Sequence, residues 1–356
     1  MYTATSFVRV SMPDSDIMPK ALITKRGISS LLKPKLHIPA GGINKKSNVG
    51  CSKNLSTLKA PDTIPVSQYQ SQTDIYTETD NHRLYKQTFQ VRSYEASADM
   101  TISVDTVLNY LQEAAVNYVR SIGFVDGSGV GRTPEMSKQN LGWVVAKMRV
   151  VFDQYPTWND LVQVVAWISA SGRNGICCNS IIRDSKTGAI LIRASSIWVM
   201  MNMNTRRLCK IPEEERAVEL EPYFYDLSPF VHEDSEKAVS KLDNDTADDI
   251  FKGLTPKWTD IDFNLHVNNA KYISWILESI PDSLALTHKI SSLTLEYTRE
   301  CAHNDVLQSL VAVSTVNTNN INGAVYETDE AQSRHLIRLE DGAEILRARI
   351  EWRPRK

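Results

Sequence analysis

The sequence has few cysteines, no long apolar run and almost no acid in its first 60 residues. The five cysteines are Cys51, Cys177, Cys178, Cys209 and Cys301. Odd in number and without metal-ligand spacing, they exclude a disulfide framework and a zinc site and read as reduced thiols. No stretch approaches the ~18 apolar residues of a membrane span, so no transmembrane segment is predicted. A broad basic face is also missing. Residues 61–356 carry 30 Lys/Arg against 40 Asp/Glu, which excludes a nucleic-acid binder.

What is present is unevenly spread. Residues 1–60 hold ten Lys/Arg, two acids and twelve Ser/Thr, with no apolar block of secretory length. That composition is expected of an organelle transit peptide, and residues 61–83 read as a polar linker. Residues 213–249 hold 13 acids against three bases. They read as a solvated crossing between two units. Within and after this segment, "NDTADDIFKGL" predicts a short helix. A length of 356 residues accommodates two such units.

The chain repeats itself weakly. "NDLVQVVAWIS" at 159–169 lies over "NDVLQSLVAVS" at 304–314, an offset of 145. "GAILIRASSIW" at 188–198 lies over "GAEILRARIEW" at 342–352, an offset of 154. Each copy opens with a helical pattern. In the first, Val104, Val107, Leu108, Leu111, Ala114, Ala115 and Tyr118 have helical spacing, with Asp105 as cap and Gly123 as stop. In the second, Asn268 or Asn269 caps a helix through Tyr272, Ile273, Ile276 and Leu277, closed by Pro281. Strand-like segments follow at 142–152, 161–171, 176–183 and 189–201, then at 290–298, 306–316, 335–339 and 343–352. Long β-branched strands without helices between them predict an α+β protein: an antiparallel sheet packed on one helix, twice.

The stretch "TDIDFNLHVNNAKYISWILES" carries the chemistry. Ile261, Phe263, Leu265 and Val267 alternate with Asp262, Asn264 and His266, so an extended chain places the three polar groups on one face. They offer an acceptor, an amide and a titratable imidazole at a helix start. The first copy has no such pattern before its helix, which makes the second unit the candidate active half. Glu300 and Cys301 supply two alternatives. Cys301 is a thiolate nucleophile with His266 as base and Asn264 as orienting amide. Alternatively, Glu300 and His266 activate water while Asn264 holds a carbonyl. Adjacent strand residues face opposite sides, which favours Glu300 and water.

"LTPKWTDIDFNLHVNNAKYISWILESIP", "LTLEYTRECAHNDVLQSL" and "VRSYEASADMTISVDTVLNYLQEAAVNYV" resemble the plant acyl-ACP thioesterases, and more closely the branch acting on saturated chains (FatB-type). The likeness runs from about Tyr85 to Lys356. It implies a tandem hotdog fold: 84–212 an acyl-chain-binding N-terminal hotdog, 213–249 the linker and 250–356 a catalytic C-terminal hotdog. It implies hydrolysis of acyl-ACP, hexadecanoyl-ACP by default, in the plastid stroma, with no cofactor and no metal. Asp262, Asn264, His266, Glu300 and Cys301 carry the family's site. Asp262 would steady the Asn/His segment, and Cys301 belongs to an older thiol proposal. Departures are Leu265 where the family usually has Gln, Thr298 where it usually has Arg, and Cys177 and Cys178 where it tends to basic residues. The partner is an acidic carrier protein, which a local basic patch would meet. Arg206, Arg207 and Lys210 are candidates, with Arg299 another. A homodimer of tandem units is compatible with the likeness. The competing reading is a non-hydrolytic or weakly active acyl-ACP-binding hotdog protein. A dehydratase of the same fold would lack this motif set.

Overall fold

The structure is a computed structural model and describes residues 82–126, 129–172, 174–230, 238–262, 266–318 and 326–355. In chain order its elements are β1 (Tyr85–Gln90), α1 (Val104–Ser121), β2 (Val125–Asp126), β3 (Gly129–Val130), α2 (Pro134–Lys138), β4 (Leu141–Phe152), β5 (Leu161–Ser171), β6 (Gly175–Asp184), β7 (Ile190–Asn202) and β8 (Arg207–Leu208). The second half follows with β9 (Asp249–Leu254), α3 (Tyr272–Leu277), α4 (Asp282–Thr287), β10 (His288–Tyr297), β11 (Leu307–Thr318), β12 (Tyr326–Leu339) and β13 (Glu344–Pro354).

Apart from the small β2–β3 pair, the strands form one sheet in the order β1-β5-β6-β7-β4-β10-β13-β12-β11-β9, with β8 beside β7. The order reads the same from both ends, half by half. β4 pairs antiparallel with β10 through Ser292↔Val151 to Glu296↔Lys147, so two five-stranded sheets become continuous. The duplication expected from the sequence is visible in the elements. β7 begins at Ile190 and β13 at Glu344, 154 residues later. α1 packs on β1 and β5, α3 on β11, and the two helices touch each other, so both occupy one face of the sheet. Val107, Leu108, Ala114 and Tyr118 of α1 are buried against it, as are Ile273 and Ile276 of α3.

Several local expectations are corrected. Ser103, not Asp105, caps α1, its hydroxyl accepting from the Thr106 N–H. Asp105 sits in the first turn, where an acid favours the positive end of the helix. Gly123 does follow the helix, at φ +92°. Asn268 caps the start of the second helix through the Ala270 N–H at 2.8 Å. That helix is short, and Pro281 leads straight into α4. "NDTADDIFKGL" is not helical. Its last six residues are β9, paired with the free edge of β11. Unpaired backbone groups on that edge outweigh the local preference. The acidic segment is anchored as well as solvated. Leu220, Val239 and Leu242 are buried, and buried Glu215 accepts from the Thr133 hydroxyl at 2.6 Å.

The second half also buries an imidazole. His335 on β12 is 1 % exposed, with Nε2 at 2.8 Å from the Ser333 hydroxyl, which accepts from Trp352 Nε1. Burial pushes His335 down to about 3. The unfolded chain takes up this proton near pH 6.5 and the native chain only near 3, so native stability is lost as pH falls through that window. The melting temperature of the wild type is expected to drop between pH 7 and pH 4.5. His335→Gln should make that slope shallower, while melting lower at pH 7.5. An unchanged slope assigns the acid sensitivity elsewhere.

Candidate active site

The alternating stretch before α3 does not run on as a regular strand. Its described residues on either side of 263–265 are tied to each other. Ile261 and Val267 form an antiparallel bridge. The Asp262 N–H donates to the His266 carbonyl at 2.8 Å, and the His266 N–H approaches Asp262 Oδ1 at 3.4 Å. The Asn268 N–H donates back to the Asp260 carbonyl at 2.8 Å. Asp262 and His266 therefore come together by loop closure rather than by pleating. Asn264 lies outside the described residues, as do its neighbours Phe263 and Leu265.

Residues 300 and 301 reach this loop from the far end of β10. The chain leaves the strand after Tyr297: the Thr298 and Arg299 N–H groups both donate to the Ile345 carbonyl, at 2.9 and 3.2 Å. The Thr298 hydroxyl donates to the Glu344 carbonyl at 2.8 Å, so this departure from the family pattern serves the strand exit. The Val267 N–H then donates to the Cys301 carbonyl at 3.0 Å, which fastens the two segments together. On that backbone the two side chains part. Glu300 Oε2 lies 3.4 Å from His266 Nε2, within ion-pair range but outside hydrogen-bond geometry. The Cys301 side chain turns into the core, fully buried. Burial, and the nearby Asp305 carboxylate, push its thiol well above the usual range. A thiol in such surroundings is a poor nucleophile. The expectation that Glu300 and Cys301 face apart holds, although the segment is not a strand there.

The other carboxylate oxygen of Glu300 is paired with Arg206, from the turn between β7 and β8. Arg206 thus faces the site and is partly withdrawn from solvent. Arg207 and Lys210 are exposed. Arg299 lines an open groove of about 780 Å³ with Lys147, Glu296 and Arg347. Sequence reasoning grouped Arg206 with its exposed neighbours. Reading a turn residue onto an acid 94 positions away requires the sheet order, which no local pattern carries.

Two small cavities lie under α1, one of them reaching Asn269. One, of about 20 Å³, is lined by Asn269, Gln112, Met148, Ser180 and Trp198. The next, of about 40 Å³, shares Gln112, Ala115, Cys178 and Trp198 with it and continues along Val119, Phe124, Trp143 and Ile168. Both lie between α1 and the first half of the sheet. Cys178 faces them, pushed up to about 12 by burial. Cys177 points the other way, to Ser195 Oγ at 2.9 Å. Among the described residues, no cluster of His, Cys, Asp and Glu could hold a metal ion.

Two helix-on-sheet halves joined edge to edge, with a carboxylate, an imidazole and a guanidinium converging where they meet, make this a tandem hotdog protein. Residues 82–218 match the acyl-ACP thioesterase N-terminal domain and residues 243–354 the acyl-ACP thioesterase C-terminal domain. The chain belongs to the acyl-ACP thioesterase family. It is 54 % identical over 272 residues to the palmitoyl-acyl carrier protein thioesterase, chloroplastic, of Gossypium hirsutum, covering 76 % of this chain and 64 % of the relative. It is 52 % identical to the acyl-[acyl-carrier-protein] hydrolase FATB2, chloroplastic, of Cuphea viscosissima, covering 76 % and 63 %. The chain thus spans a little under two thirds of the length of these curated relatives. The solved 12:0-ACP thioesterase from Umbellularia californica superimposes with a TM-score of 0.69 at 46 % identity, covering 77 % of this chain and 95 % of that one.

The burial of Cys301 sets an expected labelling pattern. Treated with iodoacetamide at pH 8 and mapped by mass spectrometry, the folded protein should be alkylated at Cys209, which is partly exposed, and spared at Cys301. Cys301 should react only in urea. Rapid native alkylation of Cys301 with matching loss of activity would establish the thiol route.

Proposed function

We propose that this chain hydrolyses acyl-ACP thioesters with Glu300 as general base. The observation that carries the reading is the Glu300 carboxylate beside the His266 imidazole at 3.4 Å, with the neighbouring thiol turned into the core. A carboxylate acts as base if it can reach the water it deprotonates, directly or through a small adjustment on substrate binding. Water attacks the thioester carbon and gives its proton to Glu300. The carbonyl oxygen takes up the negative charge beside His266 and, from the family likeness, Asn264. Collapse breaks the C–S bond, and the carrier sulfur leaves as a thiol with the proton held on Glu300. Asp262 steadies the loop that presents His266, a role supported by the paired contacts between these two residues. Cys301 then fills the core. No metal or cofactor takes part in this sequence.

The acyl chain is assigned to the first half, 84–212, where the two cavities run along α1 between Trp143, Ile168 and Trp198. The walls of the larger are mostly apolar, and each methylene buried there contributes about 0.8 kcal/mol. The cavities as they stand are far smaller than a long chain, so side chains along α1 must yield to admit it. Hexadecanoyl-ACP is the default substrate, supported by the likeness to the palmitoyl-acyl carrier protein thioesterases of Gossypium and Arabidopsis. The second half, 250–356, carries the base. Carrier docking falls to the exposed Arg207 and Lys210 and to Arg299, which lines the open groove. The plastid stroma is the assigned compartment, supported by the basic, hydroxyl-rich first 60 residues and by relatives named chloroplastic.

Residues 82–356 incubated with acyl-ACPs of graded length are expected to release free acid, most from saturated long chains. Glu300→Gln should lower kcat by about 10²- to 10⁴-fold, the span general-base groups contribute. Cys301→Ala should retain most of the rate. Tight acyl-ACP binding without release of acid in the wild type would replace hydrolysis with a carrier function. Separately, a fluorescent protein fused behind residues 1–60 should enter plastids, and a cytosolic signal would defeat the compartment assigned.

A further inference from the structure

The position of Arg206 is set before its side chain is considered. The turn joining β7 to β8 is closed by the Arg206 N–H, which donates to the Asn202 carbonyl at 2.8 Å. Asn202 Oδ1 accepts from the Asn204 and Thr205 N–H groups at 3.1 and 2.9 Å, and from the Thr205 hydroxyl at 3.2 Å. Within this turn Arg206 has φ +56°. That left-handed backbone is disfavoured for any residue with a β-carbon, and glycine or asparagine would adopt it more easily. A large cation held there is a local conflict that the surrounding hydrogen bonds maintain, as happens where a side chain must be aimed. It is aimed at Glu300, and the pair is partly withdrawn from solvent.

Glu300 needs such a partner. It sits on an irregular segment after β10, where neither pleat nor helix sets its rotamer. A guanidinium on Oε1 fixes the carboxylate plane and leaves Oε2 directed to His266 Nε2. Around the carboxylate stand His266 and, behind it, Asp262 from the loop, Arg206 from the β7–β8 turn, and the buried Tyr272 phenol from α3. Of these described groups, only Arg206 comes from the first half of the chain. We propose that Arg206 is a positioning residue: it orients the base across the junction of the two halves, so that the first half completes the site as well as holding the acyl chain. The inference rests on the hydrolase reading above. It also removes Arg206 from the carrier-docking patch, leaving Arg207 and Lys210.

The test is a double-mutant cycle on the full chain with hexadecanoyl-ACP, using wild type, Arg206→Gln, Glu300→Gln and the double variant. Arg206→Gln is expected to lower kcat by about 10- to 100-fold, as for a misplaced catalytic group, with little change in KM and no added salt dependence. Arg206→Lys, which keeps the charge but not the fork, should restore part of the rate. In the Glu300→Gln background, Arg206→Gln should cost nothing further. A docking role would instead raise KM in a salt-dependent way at unchanged kcat. That result, or losses that multiply in the double variant, overturns the proposal. Urea unfolding of the same four proteins reads the pair without turnover. If the wild type releases no acid, the hydrolase reading fails, and an absent unfolding coupling then rejects the pairing on its own.

Discussion

The pairing of β4 with β10 is the constraint on which the molecule depends. Each half alone would end in an open strand edge, with a full row of unpaired backbone groups. Antiparallel registration from Ser292↔Val151 to Glu296↔Lys147 closes both edges at once. Lys147 and Glu296 are direct partners in that register and bridge at 3.3 Å, so opposite charges support the alignment. A slip of one residue would break this pair and turn the apolar residues of both strands to the wrong face. The Tyr155 hydroxyl, donating to the Ile290 carbonyl at 2.9 Å, ties the end of β4 to the start of β10.

From that seam the site follows. The end of β10 carries Glu300 out to where the β7–β8 turn of the other half can reach it. The same seam sets α1 beside α3, and so brings Asn269, three residues after His266, to the wall of a cavity that runs under α1. The spacing between Glu300 in one half and the cavities in the other is fixed by a ladder of backbone hydrogen bonds. On the proposed reading, binding energy from an acyl chain in the first half would thereby hold a thioester at the second.

Much of this was legible in the residues, and the exceptions have causes. The strands from 141 to 202 were readable because they are long, β-branched and bounded by turns. The repeat was readable because Gly188 and Gly342 open matching hairpin strands, both at positive φ where glycine is favoured. β9 was misread because "DIFKGL" has no strand alternation of its own; its conformation comes from the edge of β11. The run from Ile261 to Val267 was read as extended because alternation of apolar and polar residues cannot reveal a backbone that folds back on itself. The grouping of Asp262 with His266 held for another reason, two contacts across the neck of a loop. The separation of Glu300 from Cys301 was legible from chemistry as much as from geometry. A carboxylate tolerates a half-open site and a neutral thiol prefers the core.

The two copies show how a duplicated unit divides its labour. On the 145 offset, Glu300 stands over Tyr155. In the first copy that position carries an aromatic ring stacked on Phe152 at 4.8 Å, with Lys289 5.2 Å from the ring centroid. Where one copy places a carboxylate beside an imidazole, the other places a stacked ring at the seam. The loop before α1 likewise holds Asp99, engaged by Lys289 and Arg355 of the second half and, despite its partial burial, held well below the usual carboxylate range by Lys289 and Thr101. Each half therefore sends a cation across the junction to an acid of the other: Arg206 to Glu300 and Lys289 with Arg355 to Asp99. At Asp99 two cations and a threonine occupy the carboxylate. At Glu300 one cation takes one oxygen and leaves the other facing an imidazole. Asp99 is thus engaged on both oxygens by groups that brace the junction, whereas Glu300 keeps one oxygen beside His266.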